Sequence, residues 1–124
     1  VKAETEEWMR TAEGHFAPAE VLLREAHYPQ CIFLCEQAIE CLLKAIWTEH
    51  ASEGPPPRVH DLVSLAQSLE LPLTDNQTEF LRKLQEQYMP ARYADVRIEY
   101  SRETAEYYCR KTEELFRWLR ARLN

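Results

Sequence analysis

The sequence predicts an all-α fold, an antiparallel helical bundle of four main helices with an additional short helix. Three observations carry this. Apolar residues recur at spacings of three and four through most of the 124 residues, the period of a helix with one buried face. Glycine is scarce, at 2 residues, which argues against a turn-rich β sandwich and against a glycine loop that cradles phosphate. No stretch alternates as a strand would, and no internal repeat or second domain is visible, so residues 1–124 read as one domain.

The first helix is expected from about Thr5 to Ala26. Trp8, Ala12, Phe16, Ala19, Leu23 and Ala26 draw one apolar stripe, and Glu4, Glu6 and Glu7 suit the positive end of the helix dipole. Pro18 lacks an N–H and crowds the carbonyl of Gly14, so a kink or a break is expected near Gly14–His15. Tyr28-Pro29 opens the second helix, where a first-turn proline sacrifices no hydrogen bond.

That second helix runs to His50 and carries two apolar stripes. Cys31, Cys35, Ala38, Leu42 and Ala45 form one; Ile32, Ile39, Leu43 and Ile46 form the other. Two stripes mean burial on two sides. In so small a bundle a second copy of the chain is an economical cover, so a homodimer through residues 29–50 is expected. The alternative is a central helix covered by its own chain.

Gly54-Pro55-Pro56-Pro57 lies in a loop. A short helix follows from Asp61, a suitable N-cap, to Leu69. Thr74-Asp75-Asn76-Gln77 fits a capping box and starts a fourth segment with Phe80, Leu81, Leu84 and Tyr88 along one side. Pro90 is expected to stop it, and Met89 to Tyr100 to form a loop. Ser101 then caps a last helix to about Leu123, with Ala105, Tyr108, Cys109, Thr112, Leu115, Phe116 and Leu119 inward. On its wet face Glu106–Arg110 and Glu113–Arg117 have the spacing of favourable pairs.

The net charge of −6 argues against broad, unspecific attraction to nucleic acid. The charge is uneven: residues 1–54 hold 4 basic and 10 acidic side chains, residues 55–124 hold 11 of each. A basic patch belongs in the second half. No apolar run reaches the ~20 residues that span a bilayer, and the acidic first residues do not resemble a signal peptide. No membrane contact and a cytoplasmic location are therefore expected. Of the four cysteines, Cys31 and Cys35 sit one turn apart. They, Cys41 and Cys109 read as buried core thiols, metal or redox use being the alternative, and no metal and no cofactor is expected.

Chemistry is expected in three places. The segment Tyr88 to Arg97 holds two arginines, two tyrosines and an aspartate: Tyr88, Arg92, Tyr93, Asp95 and Arg97. Arginine offers a planar fork of donors for phosphate, and tyrosine a ring on which a base stacks; alternatively Arg92 pairs with Asp95 or a helix-two carboxylate and braces the loop. His60-Asp61 is the second place, either as ligand contacts or as a helix cap with its neighbour. The third is Glu36, Gln37, Glu40 and Lys44. These polar groups on the most apolar helix need a partner or a cleft. A di-metal carboxylate site is not expected, because the glutamate-then-histidine pairs of such bundles are missing. No catalytic residue is assigned.

Taken together, these residues resemble the HEPN family (higher eukaryote and prokaryote nucleotide-binding). The likeness follows the chain: Trp8; Tyr28; Glu36-Gln37-Ala38-Ile39-Glu40 through Leu43-Lys44-Ala45; His60-Asp61-Leu62 with Leu65; Tyr88; and Arg92-Tyr93-Ala94-Asp95. It implies an antiparallel up-and-down four-helix bundle with an additional short helix, commonly dimeric, that binds a nucleotide or an RNA end. It also implies a minimal nucleotidyltransferase as partner, some such pairs being toxin–antitoxin systems. Other members are metal-independent ribonucleases with an arginine followed four to six residues later by a histidine near the last helix. No histidine follows position 60 here, and Arg102 is followed by Tyr107 and Tyr108, so the resemblance does not extend to that motif. An RNA-cleaving toxin that uses Arg92 with His60, and a purely structural interaction module, are the alternatives.

Overall fold

In the computed structural model, which describes residues 1–51, 54–94 and 98–123, all regular structure is helical. In chain order the helices are α1 (Ala3–Arg24), α2 (Tyr28–His50), α3 (Leu62–Ser68), α4 (Asp75–Glu86), α5 (Tyr88–Arg92) and α6 (Arg102–Ala121). None is long and apolar enough to cross a membrane.

Helices α1 and α2 form an antiparallel hairpin. The chain turns at Glu25–His27, where His27 N–H donates to Leu22 O (2.8 Å) and Ala26 N–H to Leu23 O (3.2 Å). This is a Schellman closure with Ala26, at φ 64°, in the position glycine usually fills. At the far end Lys2 Nζ donates to the carbonyls of Thr48 and Ala51, and the buried Thr5 hydroxyl donates to Glu49 (2.9 Å). The helix is continuous through Pro18; the break considered near Gly14 does not occur. One lost backbone hydrogen bond costs less than packing along α2 supplies.

Helix α2 is the centre of the molecule. Both of its apolar stripes are buried, from Cys31 and Ile32 to Ala45 and Ile46. Every other helix lies against it: α1, α3, α4, α5 and α6 all make contact. The reason given for pairing through residues 29–50 therefore fails, because the chain's own helices cover both stripes and a second copy is not needed for that purpose. Helix α6 runs antiparallel to α1: Phe116 stacks on Phe16 at 5.5 Å and Arg120 reaches Glu13.

The capping signals operate as read. Asp61 accepts from Ser64 N–H, Thr74 and Gln77 close a capping box, and Ser101 accepts from Thr104 N–H. Arg117 pairs with Glu113 (2.9 Å), whereas Glu106 faces Arg102 rather than Arg110. The stretch read as a loop from Met89 begins instead with α5, and Pro90 lies inside that helix. It occupies the first turn, where a backbone N–H has no partner within the helix to lose. Asp95 and Arg97 lie outside the described residues.

Candidate functional site

Where α2 meets α3 and α5, a row of polar side chains runs from the core to the surface. Its inner end is on α2. Glu40 and Lys44, one turn apart, are 4% and 7% exposed and paired at 3.1 Å. Lys44 Nζ also lies 5.6 Å from the centre of the Trp8 ring, so α1 closes over it with a cation–π contact. An ion pair this deep is held only because each charge has a partner.

From Glu40 the row continues outward. Its other carboxylate oxygen lies 2.6 Å from Nδ1 of His60, just before α3. The opposite ring nitrogen, Nε2, is 3.2 Å from the Tyr88 hydroxyl, and that hydroxyl accepts from Arg92 Nη1 at 3.2 Å. The direction of each bond follows from chemistry. Ionised Glu40 has no proton to give, so Nδ1 carries one and donates. With the imidazole neutral, Nε2 accepts from Tyr88 O–H, and the tyrosine oxygen is left to accept from the guanidinium, which can only donate. In that neutral tautomer Lys44, His60, Tyr88 and Arg92 each donate once along the row.

Ring contacts stiffen the same path. His60 and Tyr88 stack with centroids 4.4 Å apart, and Phe33 on α2 lies 6.2 Å from Tyr88. The Arg92 guanidinium sits 5.7 Å from the Phe33 ring and 5.7 Å from the Tyr93 ring. Arg92 is exposed, His60 keeps 51% of its side-chain surface, and Tyr93 is 65% exposed. Among the described residues no carboxylate lies within ion-pairing distance of Arg92. Among the described residues, the guanidinium is directed by its hydrogen bond to Tyr88 and bordered by aromatic faces.

Beneath the row lies Glu36, fully buried. Burial pushes its carboxyl up to about 8; a hydrogen bond from Gln37 (2.7 Å) lowers it and neighbouring Glu40 raises it further. Among the described residues its Oε2 has no hydrogen-bond partner. At neutral pH the group is protonated, so the core carries one carboxylate, Glu40, rather than two.

Of the sequence-predicted residues, Arg92, Tyr93, His60, Glu40 and Lys44 come together. Glu40 and Lys44 do so as buried supports. Asp61 does not join them. Its carboxylate caps α3, and the Ser64 N–H it accepts from holds it below the usual carboxylate range. The bridging group is Tyr88, one of the two tyrosines of the candidate segment. Its relation to Arg92, four residues on and one turn away on a helix, was hidden because Tyr88 was read at the end of the fourth segment and Met89 onward as a loop.

Comparison with known proteins agrees with this architecture. The crystal structure of TT1696 from Thermus thermophilus superposes with a TM-score of 0.80 at 21% identity, covering 98% of this chain and 99% of that one. The structure of ST0689, an archaeal HEPN homologue, superposes with a TM-score of 0.78 at 22% identity, covering both chains completely. No curated protein matches the sequence. A family model for the HEPN domain matches residues 5–122, and the chain belongs to the HEPN domain family.

Proposed function

We propose that the chain is a nucleotide-binding HEPN-type accessory subunit that works with a minimal nucleotidyltransferase. The supporting observation is the directed row Lys44–Glu40–His60–Tyr88–Arg92. It ties an exposed guanidinium to a buried, charge-balanced anchor. Arg92 meets a phosphate through its planar fork. Tyr93 and the outer edge of the His60–Tyr88 stack offer rings for a base. Glu40 and Lys44 hold this surface in place without touching the ligand. The partner enzyme is carried over from the family resemblance, and a toxin–antitoxin role goes with it.

Calorimetric titration with nucleoside mono-, di- and triphosphates, with and without the nucleotidyltransferase, tests the proposal. Saturable binding is expected. Arg92→Ala should weaken it about 10- to 100-fold, the range of a lost charge-assisted hydrogen bond, while the far-ultraviolet spectrum stays unchanged. Absence of binding to any nucleotide, or equal binding by the variant, refutes it.

A second reading has one observation in its favour. His60 and Arg92, far apart in the chain, reach one surface through Tyr88, and Glu40 orients the imidazole as a general base requires. RNA cleavage would need the Tyr88 bond to Nε2 to open first. Labelled RNA left intact over hours by the purified protein removes this reading.

A further inference from the structure

Three thiols that the polar row does not use converge between α2 and α6. Cys31 and Cys35 stand one turn apart on α2, Cys109 comes from α6, and their sulfurs all lie within 4.8 Å of one another. Cys31 and Cys35 are fully buried and Cys109 is 7% exposed. We propose that these three cysteines form a tris-thiolate site for trivalent arsenic, taken up as arsenite.

Geometry comes first. An ion about 2.3 Å from each sulfur, the usual metal–thiolate length, needs sulfurs roughly 3.5–4 Å apart. Thiols already inside 4.8 Å meet that with side-chain adjustments alone. The number of ligands comes second. Among the described residues the group that could hold an ion comprises these three cysteines and no fourth residue, and their burial keeps water from completing a tetrahedron. Zinc prefers four ligands, whereas trivalent arsenic is satisfied by three sulfurs and a lone pair.

Charge decides among the thiophilic ions. Three thiolates carry three negative charges into an apolar interior. The charged side chain that acts on Cys31 is Glu20, and it is negative. A monovalent ion would leave a net charge of minus two and a divalent ion minus one, and an uncompensated buried charge is costly. A trivalent centre leaves none.

The exchange balances without an oxidant: As(OH)3 + 3 Cys–SH → As(S–Cys)3 + 3 H2O. Three As–O and three S–H bonds break, three As–S and three O–H bonds form, and arsenic stays trivalent. Once formed, the site clamps α2 to α6.

Reduced protein and sodium arsenite provide the test, read by native mass spectrometry, near-ultraviolet absorbance and melting temperature. The expected result is one arsenic per chain with the mass of three protons lost, and a raised melting temperature. Cys109→Ser should weaken binding about 100-fold, the order that one more linked ligand contributes through effective concentration. Cys41→Ser, on the same helix but outside the cluster, should bind as the unaltered protein does. The proton count on the unaltered protein stands even where a variant folds poorly. Uptake only after unfolding, loss of two protons rather than three, or binding of zinc or copper(I) in preference to arsenite overturns the assignment.

Discussion

Replacing Glu36 by glutamine should leave the fold's stability unchanged in acid and raise it at neutral and alkaline pH. The reason lies in where the proton sits. In the folded chain the Glu36 carboxyl titrates at about 8, because burial disfavours its charged form; its ordinary value is 4.5. Between those values the unfolded chain has released the proton and the folded chain has kept it. The unfolded state therefore binds fewer protons, and stability falls as pH rises, by about 1.4 kcal/mol per pH unit. This contribution is fully present below pH 4.5 and is lost by the time pH has risen through 8. The loss amounts to about 3 kcal/mol at pH 7 and levels off near about 5 kcal/mol at higher pH. Glutamine has the shape of the protonated acid, and its amide oxygen can accept from Gln37, but it cannot ionise. Urea unfolding of both proteins from about pH 3 to 9 measures the difference. Curves that coincide at the acid end and diverge above it are expected. Curves that run parallel across the whole range would refute the argument.

Three other outcomes are expected. Glu40→Leu strands the buried Lys44 ammonium and should destabilise the fold by roughly 3–5 kcal/mol in chemical unfolding; adding Lys44→Met should restore most of the loss, and its failure to do so would discount the ion pair. Tyr88→Phe keeps the ring against His60 and Phe33 but severs the row, so nucleotide affinity should fall several-fold in calorimetry while stability changes by no more than about 1 kcal/mol; unchanged affinity would remove the tyrosine from the site. Ala26→Gly relieves a left-handed residue at the end of α1 and should stabilise the fold by about 1 kcal/mol in thermal melts, and a destabilised variant would contradict this account of the turn.

What the sequence determined by itself is the local part of the structure. Helix period, the caps at Asp61, Thr74 and Ser101, and the double burial of α2 depend on residues a few positions apart, so they can be read along the chain. Pro90 misled because proline forbids a helix interior but suits a first turn, and the chain order alone does not say which applies.

Only the tertiary structure decided what covers α2 and which side chains meet. Whether a twin or the chain's own helices hide the second stripe depends on how α3, α5 and α6 fold back, over separations that no periodicity records. For the same reason Cys31 and Cys35 were legible as a pair, whereas Cys109 joins them only through packing of α6. His60 and Arg92, likewise, become neighbours only when α3 and α5 dock on α2 and Tyr88 fills the space between them. Contacts of that kind are set by the joint packing of whole helices, since each burial holds only if all the others form.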